Sequence, residues 1–255
     1  MKRFFEHKNL PFWILLAGGV GLMLRVWLMY FGVDKTGFIV TSHFAAVVLP
    51  LLALAVVVVV LLYTRHLLEA TKYSFNFPES DIGGFGAYIA AAGIGLCSFV
   101  EIFFVADTFE TVTSVLGLVA ALLLVLNGYC RRRGIVPSLL IHLGLCAFLM
   151  VRLICDYRHW SSDPQILDYC FPLVATACLM LATFQRAAFA ADNGNRRSYA
   201  FFCLTAVFFS CLSMVGWSNI VFFLSVVVWQ ITDICNLIPL SSNAVLEDDE
   251  EDYQW

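Results

Sequence analysis

The chain has 255 residues, 61% of them apolar and only 13% charged, with a mean hydropathy of +0.84. Soluble domains run at roughly 45–50% apolar and about 25% charged, so a soluble globule of this size is excluded. The formal charge of −4 misleads: six of the 19 acids (Glu247, Asp248, Asp249, Glu250, Glu251 and Asp252) fall in one tail, and without them 15 bases oppose 13 acids.

Apolar segments fall at 11–31, 39–63, 84–105, 110–129, 136–155, 167–188, 198–215 and 218–238. Each approaches the ~20 residues needed to cross a hydrocarbon core of about 30 Å. In lipid a helix satisfies its own backbone, so the predicted fold class is all-α, a polytopic transmembrane bundle of eight spans in one domain over 1–240. The first segment carries Arg25 and ends in Tyr30-Phe31 without a small-x-small cleavage site, so it reads as a retained span and not a signal peptide.

The segment from Thr64 to Gly83, about 20 residues, is the longest connection on its side, and its stretch Tyr73–Ser80 carries breaker signals. The last two spans are separated only by Val215-Gly216-Trp217-Ser218-Asn219, which must make a very tight turn; otherwise they merge into one long tilted helix. Residues 241–255 read as a disordered acidic tail.

Eleven basic residues (Lys2, Arg3, Lys8, Arg65, Lys72, Arg131, Arg132, Arg133, Arg186, Arg196 and Arg197) share one side of the spans, against Lys35 and Arg158 on the other. By the positive-inside rule both termini are expected in the cytoplasm. Short loops, the absence of a soluble domain and unpaired cysteines fit a bacterial cytoplasmic membrane. Residues 22–55 and 149–182 align without gaps at an offset of 127, with ten of 34 positions identical, including Arg25/Arg152 and Phe44/Phe171. Two readings stand: parallel four-span repeats, 1–133 and 134–240, or two similar hydrophobic hairpins.

Charges inside spans cost roughly 2.5–3.5 kcal/mol each on insertion scales, which makes them candidate functional groups, with snorkelling the alternative near span ends. Arg25, His43, Glu101 and Arg152 fall in the outer leaflet. Gly18, Gly21 and Arg25 share one face of the first span, and Ala87, Ala91, Gly95 and Ser98 lead up one face of the third to Glu101. Arg25, Glu101, Arg152 and His43 are the candidate ligand site, a polar chamber whose arginine forks suit a carboxylate or phosphate. The competing reading is a structural ion-pair network, with Arg152 paired to Asp156 one turn on.

In the inner leaflet His142 and Asp233 have similar depth and form a candidate polar pair, for proton relay or for helix packing. The outer loop from Asp156 to Leu167 is a candidate lid or an interfacial anchor, and Cys155 and Cys170 bracket it as a candidate disulfide.

No haem, metal or other cofactor is indicated. His43 and His142 lie at different depths, and neither HExxH nor Cys/His ligand spacing occurs. Cys97 lies one turn before Glu101, but a carboxylate is a poor thiol activator, and no catalytic motif is present. No basic patch with interleaved aromatics argues for nucleic acid. The leading reading is therefore a non-enzymatic membrane protein, in contact with the lipid bilayer, that binds or transports a small polar or anionic solute. The alternative is a membrane-embedded partner or sensor subunit whose acidic tail contacts a cytoplasmic protein.

Overall fold

The computed structural model describes residues 10–32, 43–67, 69–104, 108–160 and 166–237. Within them lie the helices α1 (Leu10–Phe31), α2 (Phe44–Thr64), α3 (Tyr73–Asn76), α4 (Asp81–Phe104), α5 (Thr108–Arg132), α6 (Leu139–Trp160), α7 (Ile166–Ala190), α8 (Arg196–Leu212) and α9 (Trp217–Cys235). No strand occurs among the described residues. Seven of the helices are long and apolar enough to cross a membrane. Their outward faces present exposed Met23, Phe31, Leu54, Phe104, Leu122, Leu140 and Leu224, a coat that only lipid accommodates. The chain is a membrane-embedded helical protein.

The acidic tail 241–255 and loop residues 161–165 lie outside the described residues, and with them the readings of a tail-bound partner and a lid.

Six helices close a circuit of contacts, each packed on the next: α4 on α5, α5 on α6, α6 on α7, α7 on α8, α8 on α9, and α9 back on α4. The remaining pair, α1 and α2, packs on the outside of α8. With neighbours on both sides, α8 has 13 of its 17 residues buried, among them Tyr199, Cys203, Thr205, Phe208 and Ser210. Its length of about 26 Å, at 1.5 Å per residue, falls short of the other long helices.

Small residues set the helix spacings. Gly18 and Gly21 lie on α1 against Cys211 and Leu212 of α8, as the shared face with Arg25 predicts. On α4, Gly86 and Gly93 sit two turns apart against Thr232 and Ser225, two turns apart on α9. A methyl group at Gly86 would overlap the Thr232 hydroxyl, so glycine is what permits this approach.

Two turns settle how the chain reverses. Gly216 adopts φ +82°, a left-handed conformation open to glycine, and starts α9 directly after α8, so the last two apolar segments are separate helices packed on each other. The connection after α2 is less open than its breaker signals imply. Tyr73, Asn76 and Phe77 are buried, and the Asn76 amide donates to the carbonyls of Ala70 (3.2 Å) and Lys72 (2.9 Å). Arg197 at the start of α8 donates to Leu67 O (2.8 Å) and pairs with Glu69 (2.7 Å), tying the segment under the bundle.

Packing gives the 127-residue offset no counterpart. In the second half α7 packs on α8, whereas α2, its match in the first, packs on α8 too and has no comparable interface with α4. Arg25 rests on α7 and α8 and Arg152 on α9, so the aligned arginines occupy non-corresponding places.

The α4–α9 contact makes a specific expectation. Gly86→Val should lower the thermal unfolding midpoint in detergent, with overpacking costing about 1–3 kcal/mol. Gly19→Ala, on a helix face with nothing within 4 Å, should be neutral or slightly stabilising.

Candidate functional site

At the end of the bundle opposite the basic residues, the outer-leaflet candidates are held separately. Arg25 donates to the carbonyl of Leu212, at the C-terminal end of α8, and lies 5.3 Å from the Phe171 ring centre. A guanidinium there answers the unpaired carbonyls of a helix terminus. Arg152 stacks on Phe222 at 3.7 Å and faces Asp156 one turn on, at 3.8 Å.

Glu101 is half-buried and accepts from Ser218 Oγ (2.8 Å) and, at 3.4 Å, from Ser114 Oγ. Its helix face is packed as the stripe predicts, with Ala87, Ala91 and Ser98 buried. The expected ion pair is absent: among the described residues none joins Glu101 to Arg25 or Arg152, and the carboxylate links α4, α5 and α9 through serine hydroxyls instead. His43 caps α2, its Nδ1 accepting from Ala45 N at 3.3 Å. Cys155 and Cys170 are not joined by a disulfide, and Cys155 Sγ lies 2.9 Å from Thr113 Oγ1.

The other end gathers its polar groups. Arg131 comes from α5, His142 from α6, Arg186 from α7, Tyr199 from α8 and Asp233 and Trp229 from α9, all buried. The sixth wall is α4, where a Cβ at Gly83 would stand 3.0 Å from Arg131 Nε, so the glycine makes room for the guanidinium. Arg186 and Asp233 form a fully buried ion pair, Nη1 to Oδ2. It reaches behind α8, which packs between the two parent helices. Phe77, just after α3, packs on both arginines, with each guanidinium carbon 5.1 Å from its ring centre. Tyr199 and Phe189 pack edge-on against that ring at 5.2 and 5.4 Å.

What distinguishes this cluster is how much hydrogen-bonding capacity is unmet. Arg131 is 2% exposed, yet Nε, Nη1 and Nη2 all lack a hydrogen-bond partner. So do Nε and Nη2 of Arg186, both nitrogens of His142, the hydroxyls of Tyr73 and Tyr199, Trp229 Nε1 and Asp233 Oδ1. Trp229 approaches Asp233 and Tyr73 approaches Arg186, without reaching hydrogen-bond geometry. Buried polar groups in folded proteins are paired in roughly 90% or more of cases, so this concentration sets the cluster apart from the rest of the bundle. Donors outnumber acceptors, and two guanidinium groups face a single carboxylate.

The predicted His142–Asp233 pair is replaced. Both residues lie in this cluster, but Asp233 pairs with Arg186, and His142 lies within electrostatic reach of Arg186 with neither nitrogen bonded. Sequence reasoning missed Arg131 and Arg186 because both stand where a span meets a basic loop, and they count there as ordinary inner-side charges. A signal was available on their own faces. Gly117, Ala120, Leu124, Asn127 and Arg131 are buried along α5, and Thr176, Leu179, Thr183 and Arg186 along α7, the same small-residue pattern that drew attention to Glu101.

No family model, curated protein or solved structure matches this chain.

Loss of the Asp233 charge should be costly. Asp233→Asn leaves Arg186 buried without a counter-charge and should destabilise the protein by about 3–5 kcal/mol, read as a lower unfolding midpoint. Replacing both partners, Arg186→Met with Asp233→Leu, should recover most of that loss.

Proposed function

We propose that this protein is an integral membrane protein that binds a small anion in the chamber formed by Arg131, Arg186, Asp233, Tyr73, Tyr199, Trp229 and His142. The observation that carries the reading is Arg131, a buried guanidinium with no hydrogen-bond partner on any nitrogen, beside an Arg186 whose charge Asp233 already balances. Removing such a charge from water costs several kcal/mol even after relaxation, and an anion at the Arg131 fork offsets that cost. Arginine suits the task because its fixed fork of N–H groups matches two oxygens at once. Binding or transport of an anionic solute thus moves from the outer-leaflet residues to this chamber. Arg25, Glu101 and Arg152 act as helix fasteners.

The chamber's side follows from charge. Its end of the bundle carries Arg65, Lys72, Arg132, Arg133 and Arg197 at exposed or half-buried positions, and the other end of the described structure carries Arg158. On the positive-inside rule the chamber lies at the cytoplasmic end of the bundle, with α8 as an eighth span and both termini cytoplasmic. Reporter fusions after Asp34, Arg133, Ser162 and Trp255 should read out, in, out and in; an outside reading at Arg133 would overturn the orientation.

Thermal unfolding tests the anion. In zwitterionic buffer of low ionic strength, sodium acetate should raise the midpoint of the wild-type protein with saturation, since a ligand of the folded state contributes about 2.7 kcal/mol at one hundred times its Kd. Arg131→Met should remove the saturable shift and, without added anion, unfold no earlier than wild type, because it relieves an unbalanced charge and breaks no pair. Early unfolding of Arg131→Met with an unchanged acetate response would refute the proposal.

A further inference from the structure

Charge and geometry within the chamber define its ligand more closely, on the reading that the chamber binds an anion at all. Arg131 and Arg186 contribute two positive charges and Asp233 one negative, and with a neutral His142 the chamber holds one positive charge in excess. An ion of charge −1 brings the buried site to neutrality. A dianion overshoots it, leaving a net negative charge beside the Asp233 carboxylate, where the low dielectric makes the mismatch expensive.

Shape is the second restriction. Arg131 turns toward the Phe77 ring on one side, with the guanidinium carbon 5.1 Å from the ring centre, and a Cβ at Gly83 would stand 3.0 Å from its Nε. Its N–H groups point outward in the guanidinium plane, and all three nitrogens are unbonded. A partner in that plane offering two oxygens side by side meets the fork with two parallel hydrogen bonds. Tyr73 and Tyr199, each with an unbonded buried hydroxyl, supply further donors. Every one of these side chains is buried, so the site is enclosed and takes an ion of few heavy atoms. A spherical halide fills one donor pair where a planar oxyanion fills several.

We infer that the chamber selects small planar monoanions of the carboxylate or nitrate type, with Asp233 as the residue that sets the accepted charge by cancelling one of two arginines. Neutralising Asp233 raises the excess to two positive charges, so Asp233→Asn should exchange a preference for monoanions for a preference for dianions.

The experiment is a salt series on detergent-purified full-length protein, with sodium formate, acetate, nitrate, chloride and sulfate. Each saturable midpoint shift is taken relative to Arg131→Met in the same salt, which subtracts the general stabilising action of excluded ions such as sulfate. For wild type, formate, acetate and nitrate should saturate at concentrations at least about tenfold below chloride or sulfate, a difference of about 1.4 kcal/mol. For Asp233→Asn, sulfate should become the strongest stabiliser.

Wild type alone decides the case should Asp233→Asn not fold. Sulfate matching formate in wild type overturns the charge selection, and chloride matching formate overturns the planar one, while either leaves anion binding standing. No saturable shift with any salt overturns anion binding itself. Repeating the series in nanodiscs of zwitterionic lipid, with and without phosphatidylglycerol, separates a free ion from a headgroup phosphodiester. A shift produced only by the anionic lipid overturns the inference in favour of a lipid.

Discussion

A carboxylate and a guanidinium, both removed from water and lipid, tie the basic end of this bundle together. Arg186 and Asp233 stand on α7 and α9, the two helices that flank α8, and the length of the arginine side chain lets the pair close behind α8. Neither charge has a tolerable alternative within reach, since lipid surrounds the helices and the interior offers no bulk water. The pair therefore fixes where α7 and α9 stand relative to each other, and α8 is held between them. Such pairs stabilise little relative to well-packed apolar residues, and their stronger effect is on register, because every other arrangement strands a charge.

Around that pair the sequence spends its small and aromatic residues in separate ways. Glycines on α4 let α9 approach through Gly86 and Gly93 and leave space for Arg131 at Gly83. Aromatic rings pack over the arginines, with the Phe77 centre 5.1 Å from both guanidinium carbons and the Trp229 centre 5.4 Å from that of Arg186. A ring face is a weak counterpart for a cation and makes no hydrogen bond, so the rings shield the guanidinium groups while leaving their N–H edges unclaimed. Segment 69–80 brings Phe77 there, and it is held by Asn76 and Arg197 and by Ser80 N donating to the Arg131 carbonyl (3.3 Å).

The helices were legible in the sequence to within a few residues, because apolar length in a membrane is dictated by bilayer thickness. So was the reversal at Gly216, where two apolar runs lacked room for anything but a tight turn. Buried faces were legible wherever small residues recur three or four apart, as for Gly18, Gly21 and Arg25 or Ala87, Ala91 and Ser98. Which charges meet was not. Glu101 and the outer arginines share a depth, but depth leaves position around the bundle undetermined, and serines on α5 and α9 reach the carboxylate first. The two arginines that matter most were read as loop charges because position along a helix says nothing about whether a terminal turn is covered. It is covered here by α3 and Phe77, from a segment whose Pro, Asn and Ser content reads as an exposed connection.

The contrast between the two ends locates function better than either end alone. Arg25 meets a carbonyl at the end of α8, Arg152 meets Phe222 and Asp156, and Glu101 meets two serines, so the charges at the end away from the basic residues have partners that suit a fixed role. At the basic end the same residue types are more deeply buried and less satisfied. A fold that needed Arg131 only as a fastener would be served by a carboxylate or carbonyl at its fork, as Arg25 is served by the Leu212 carbonyl. Arg131 has instead the Phe77 ring against its face and no hydrogen-bond partner on any nitrogen. Unmet donors at that depth cost stability unless something polar meets them, and on the proposed reading one excess positive charge among them sets the sign of the ligand.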